Sequence, residues 1–146
     1  MLKGIPSCIS PELLKVIAEM GHGDTLVIGD ANFASTSHAK RGNGICVRAD
    51  GISSTELLDA ILQLFPLDSV EYPVLIMDKP AEHASLPTPV WDEYKKIVAK
   101  HDKRGESICG MLAKKDFYEA ATKAYAVVAS GERAFYGCII IKKGAI

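Results

Sequence analysis

No apolar run in this 146-residue chain approaches the roughly 20 residues that a bilayer-spanning helix requires. The opening "MLKGIPSCIS" puts Pro6 and polar residues where a secretory signal would need a long apolar segment, so the expected compartment is the cytoplasm. A basic excess is missing too. Lys and Arg number 17 against 18 Asp and Glu, a formal net charge of −1 that has nothing to attract a phosphate backbone; neither nucleic acid nor a membrane is an expected partner. Cys8, Cys46, Cys109 and Cys138 form no C-x-x-C pair and are expected to be buried, reduced thiols. His22, His38, His83 and His101 show no H-x-x-x-H spacing, so no metal is expected. No G-x-x-x-x-G-K-[ST] occurs, and no G-x-G-x-x-G follows a strand, which removes support for a phosphate-cradling loop.

What is present is an ordinary globular composition, 48% apolar, sufficient for a single domain over residues 1–146 with a substantial core. "SPELLKVIAEMG" predicts a helix with Ser10 as N-cap, Pro11 at the first position, Gly21 as the stop and Leu13, Ile17 and Met20 on one face. "SSTELLDAILQLFP" repeats the pattern: Ser53 and Glu56 have capping-box spacing, Leu57, Ile61 and Leu64 form a stripe, and Pro66 follows the end. "TPVWDEYKKIVAK" predicts a third helix with Thr88 as cap and Trp91, Tyr94 and Val98 inward, and a shorter fourth is expected from near Asp116. Between them lie "TLVIG", "ICVRA", "PVLIM", "SICGML", "AYAVVAS" and "YGCIII", runs of the length and composition of strands buried on both faces. The expectation is an α/β domain, a sheet of about six short strands covered by helices, with the last two strands paired as a hairpin across "SGER".

The stretch "GHGDTLVIGDANF" sets a short apolar strand between His22 and Asp24 on one side and Asp30 and Asn32 on the other. Loops fixed on a rigid strand are where binding chemistry collects. No histidine is near Cys138 in sequence, so a thiol nucleophile has no local support. What remains is one histidine between glycines, carboxylates at strand ends, and the hydroxyls of Tyr118 and Tyr136. Such a set suits binding a small polyhydroxylated ligand and moving protons on it.

"ISPELLKVIAEMGHGD", "IGDANF", "VRADG", "LLDAILQLFPLDS", "FYEAATKAYAVVASGE" and "YGCIIIKKG" resemble, in order and spacing, the fucose mutarotase and D-ribose pyranase family, more closely its fucose mutarotase branch. The resemblance runs from Leu2 to Gly144. It implies an isomerase that interconverts the anomers of L-fucose in the cytoplasm without cofactor or metal. It also implies a homo-oligomer, with a decamer of two pentameric rings as the bacterial form. By position in the motifs, His22 would be the proton donor, while Asp30, Asp68, Tyr118 and Tyr136 would meet the sugar. The ribose reaction, exchanging pyranose and furanose, is the alternative within the family, and a non-catalytic sugar-binding protein is the alternative outside it. Asp24 and Asp50 are expected to be turn or strand-end residues, and the closing "KKG" a solvated end.

Two substrate-side positions depart from the pattern: Lys114 stands where many relatives have arginine, and Cys138 where most read asparagine in "YGN". A lysine point charge is not an arginine fork, and a thiol does not replace both halves of an amide. His22 and Asp30 are eight residues apart, up to about 26 Å if fully extended. Either the "GHGD" turn folds back, or subunits share each site, with the "YGCIII" strand of a neighbour expected to complete it.

Overall fold

In the computed structural model, which describes residues 1–146, Ser10 Oγ accepts a hydrogen bond from the Leu13 N–H at 3.1 Å and opens α1 (Pro11–Glu19). Ser53 does the same for α3 (Ser54–Leu62), accepting from the Glu56 N–H at 3.2 Å. Thr88 occupies the cap position of α4 (Pro89–His101), but its side chain makes no capping bond. The fourth expected helix, α5 (Lys114–Thr122), starts two residues earlier than Asp116, and this brings Lys114 onto its first turn. One helix was not expected: α2 (Ser35–Arg41) has the polar sequence "STSHAKR", without an apolar stripe, and is anchored by burying Ser35, His38 and Ala39.

The strands are β1 (Thr25–Gly29), β2 (Cys46–Ala49), β3 (Val74–Met77), β4 (Cys109–Leu112), β5 (Ala126–Ser130) and β6 (Ile139–Lys142). They form one sheet in the order β2-β5-β1-β6-β3-β4, with β6 antiparallel to both of its neighbours and every other pairing parallel. The expected hairpin between β5 and β6 is therefore not formed. Both edges of β5 are already taken by β1 and β2, so the chain passes over the end of β1 and β6 enters between β1 and β3. β6 does run opposite to β5, but it pairs with β1 and β3.

Alternating side chains of β1 divide the core. Leu26 and Ile28 face the layer of α1, α3 and α4, a cluster of 25 buried residues, while Val27 faces α2 and α5, a cluster of nine. All four thiols are free, and Cys138 alone is fully buried; Cys8, Cys46 and Cys109 are half-buried, a correction to the expectation for three of them. No helix is long and apolar enough to cross a membrane.

Candidate functional site

The carboxyl ends of β1 and β3 and the entry to β6 meet at one end of the sheet, where an α/β fold leaves a crevice outside its strand ends. A cavity of about 420 Å³ opens there, within the range of small-molecule sites. Asp30, Lys114, Tyr118, Tyr136 and Cys138 all line it, brought together from three separate parts of the chain. Met77, Phe33 and Phe135 supply apolar walls.

Each of these side chains is held by its neighbours. After β1 the backbone turns sharply: Asp30 Oδ1 accepts from the Asn32 N–H at 2.9 Å, and the Ala31 N–H donates to Glu132 O at 2.7 Å. The Phe33 ring folds back over Gly29, where a Cβ would lie 2.5 Å from it, so glycine is required there. Phe33 stacks on His38 at 4.7 Å, and His38 stacks on Tyr118 at 5.1 Å. Polar α2 thus buries an imidazole that backs the wall of the cavity. Burial, helped by Arg41, holds that imidazole below its ordinary pKa, and its Nδ1 has no hydrogen-bond partner. Lys114 Nζ lies 5.7 Å from the centre of the Tyr118 ring.

Tyr136 is the one non-glycine residue with positive φ, at 56°. Its carbonyl accepts from Trp91 Nε1 at 3.0 Å, and its hydroxyl is hydrogen-bonded to His83 Nδ1. The next peptide is fixed from behind: the buried Tyr94 hydroxyl donates to Gly137 O at 2.9 Å and touches Ser54 Oγ, which donates to Glu132 Oε2 at 2.8 Å. Glu132 Oε1 accepts from the Ala134 N–H at 2.9 Å, closing the loop. Cys138 Sγ accepts from the Asp30 N–H at 3.4 Å. Burial first, and the Asp30 charge second, push the thiol well above its usual pKa, which favours its neutral form.

His22 and Asp68 are elsewhere. They lie beyond the amino end of β1, whereas the cavity lies beyond its carboxyl end, roughly 20 Å away at about 3.3 Å per strand residue. The "GHGD" turn does not fold back. His22 is 65% exposed and its Nε2 is 3.5 Å from Oδ1 of Asp68, which is only 6% exposed. Burial raises the Asp68 carboxyl, but the Ser69 N–H, His22 and Lys142 together outweigh it and hold the group below the usual carboxylate range.

The closing "KKG" is not a solvated end. Lys143 Nζ donates to the last carbonyls of α1, Ile17 O at 2.8 Å and Met20 O at 2.5 Å, where a cation complements the helix dipole. Its backbone takes the Gly23 N–H at 2.8 Å and gives its own N–H to Asp24 O at 2.8 Å. Asp24 Oδ2 accepts from the Gly21 N–H at 2.7 Å, the turn role expected of it. The Asp68 N–H donates to Lys142 O at 3.0 Å. One tail segment therefore clamps the His22 and Asp68 loops side by side.

Sequence reasoning missed His83, which lines the cavity from a 3₁₀ turn (Ala81–His83) inside the proline-bearing loop "KPAEHASLP". No periodicity or spacing marks it. No group of three or more His, Cys, Asp or Glu side chains gathers anywhere in a way that would hold a metal ion.

The chain is similar along its whole length to known proteins. It is 48% identical to the fucose mutarotase of Danio rerio, covering 100% of this chain and 95% of that one. A crystal structure of FucU from Bifidobacterium longum superposes with a TM-score of 0.94 at 48% identity, covering 99% of each chain. The fucose mutarotase of Streptococcus pneumoniae, solved in complex with L-fucose, gives 0.89 at 41% identity and 99% of each chain. Bacillus subtilis RbsD, solved with D-ribose, shares the fold at 0.73 with 18% identity, covering 100% of this chain and 99% of that one. With the model of the RbsD / FucU transport protein family matching residues 3–146, the chain belongs to that family.

Proposed function

We propose that this protein interconverts the α and β anomers of L-fucose by opening and reclosing the pyranose ring. The observation that carries the reading is the cavity at the strand ends, in a chain 48% identical over its full length to a fucose mutarotase. About 420 Å³ accommodates one monosaccharide, and the walls combine what a sugar needs: a carboxylate, an ammonium and two phenols for hydroxyls, and aromatic surface for its C–H face.

Mutarotation asks only for proton transfer and positioning. A base takes the proton of the anomeric hydroxyl while an acid protonates the ring oxygen, and C1 becomes an aldehyde. Rotation about the C1–C2 bond and the reverse transfers close the ring on the other face. His22 is the proposed proton shuttle, since an imidazole both donates and accepts near neutrality. The ionised carboxylate of Asp68, 3.5 Å away, would orient it. Because this pair is far from the cavity of its own chain, the site is proposed to form in a homo-oligomer, one subunit giving the cavity and a neighbour giving His22 and Asp68. Tyr136 and Cys138 line the cavity of the same chain as Asp30, so it is His22, not the "YGC" strand, that the neighbour would supply. Pentameric rings paired as a decamer, in the cytoplasm, are the proposed assembly and setting.

Saturation-transfer NMR on the anomers of L-fucose, with D-ribose alongside, tests the reading. His22→Asn should fold and assemble normally, yet exchange should fall by roughly two to four orders of magnitude, the usual contribution of a positioned acid or base. Near-normal exchange in a folded His22→Asn would remove the residue from the mechanism. Co-refolding His22→Asn with Asp30→Asn should restore part of the rate, because mixed oligomers contain some sites built from two unmutated halves. No recovery would refute shared sites.

A further inference from the structure

The geometry points to His83 as a positioning residue of the cavity, one that aims the Tyr136 hydroxyl at the bound sugar. This rests on the cavity being the sugar site. Of the four histidines only His83 lines that cavity; His22 pairs with Asp68, His101 with Asp59, and His38 is stacked behind the wall.

Tyr136 has a backbone that L-residues seldom adopt, so its direction is set by what grips it. Trp91 Nε1 grips the carbonyl at 3.0 Å, and His83 Nδ1 grips the hydroxyl at the other end of the residue. His83 is itself on a pinned strap. Lys79 Nζ donates to Leu86 O at 2.7 Å and lies 5.0 Å from the centre of the Trp91 ring, tying both ends of the strap to the helix that also holds Tyr136. A phenol has one proton and two lone pairs. With Nδ1 as acceptor the proton is committed to His83, and the phenol oxygen faces the sugar as an acceptor. With Nδ1–H as donor the phenol proton faces the sugar. In either tautomer one direction is used, and the rotation that would turn the hydroxyl to bulk water is suppressed.

An interaction of this kind serves the ring-closed sugar and the transition state alike, so its loss should raise KM and leave kcat nearly unchanged. L-fucose exchange measured over a range of concentrations reads both. For His83→Leu we expect KM to rise about fivefold, the equivalent of one ordinary hydrogen bond, with kcat within about twofold. His83→Asn, whose amide occupies nearly the place of Nδ1, should keep KM within about twofold. Adding His83→Leu to Tyr136→Phe should change nothing beyond Tyr136→Phe alone. A further KM rise in that background would mean that His83 contacts the sugar itself and would overturn the positioning role. An unchanged KM in His83→Leu, with a raised KM in Tyr136→Phe, would sink the role of His83 and leave the sugar site standing. An unchanged KM in Tyr136→Phe would overturn the proposal, since there would be no hydroxyl contact to aim, while continued exchange of L-fucose would leave the proposed function standing.

Discussion

Replacing Tyr94 by phenylalanine deletes one buried oxygen directly behind the cavity. Tyr94 is fully buried, its hydroxyl donates to Gly137 O at 2.9 Å, and the same oxygen contacts Ser54 Oγ. Burial raises the phenol pKa far above neutrality, so the group is a neutral donor at every ordinary pH. The ring itself stays, so little packing is lost. What changes is that the buried Gly137 carbonyl loses its hydroxyl donor, a penalty of about 1–3 kcal/mol, while Ser54 still has Glu132. Taking about 2 kcal/mol, and a Tm shift of roughly 2–4 °C per kcal/mol for a chain of this size, Tyr94→Phe should melt about 4–8 °C lower. Because Gly137 sits between Tyr136 and Cys138, the KM for L-fucose should rise as well. Thermal unfolding and anomer exchange on one preparation read both effects, and the Tm drop should be the same throughout the neutral pH range. A Tm within about 1 °C of the parent, with unchanged KM, would refute the argument that this hydroxyl holds the Gly137 peptide.

Lys143→Met should cost about 1.5–3 kcal/mol through the lost charged bonds to Ile17 O and Met20 O, and lower exchange as the His22 loop loosens; thermal unfolding with NMR exchange would show it, and full stability would sink the clamp. Asp59 is held below its ordinary value of 3.8 chiefly by Lys100 and then by His101, so its stabilising contribution is complete above 3.8 and disappears as pH falls through the lower folded value. Urea midpoints followed from about pH 5 to about pH 2 should therefore fall less steeply in Asp59→Asn, and a slope equal to that of the parent would rule the group out. Cys138→Asn should fold and keep or raise the exchange rate, since an amide oxygen accepts the Asp30 N–H better than a thiol at 3.4 Å; a large rate loss in a folded variant would show a cavity built around sulfur.

Local chemistry was legible in the linear chain. Ser10 and Ser53 cap α1 and α3 because the interaction spans three residues, and the apolar runs became the six strands because burial on both faces selects that composition. Motif resemblance picked out five residues that do meet at one cavity: Asp30, Lys114, Tyr118, Tyr136 and Cys138. Tertiary structure alone decided the rest. The position of β6 between β1 and β3 depends on which strand edges are free, and no stretch of sequence encodes that locally. Polar α2 is a helix because Phe33 and Tyr118 sandwich His38, a contact across eighty residues of chain. Lys143 reads as a solvated lysine until the end of α1 is brought beside it, and His83 as a loop residue until Tyr136, 53 positions later, presents its hydroxyl. Caps and periodicity involve atoms a few bonds apart, whereas a site is assembled by strand register, which is fixed only when distant segments compete for the same hydrogen-bonding edges.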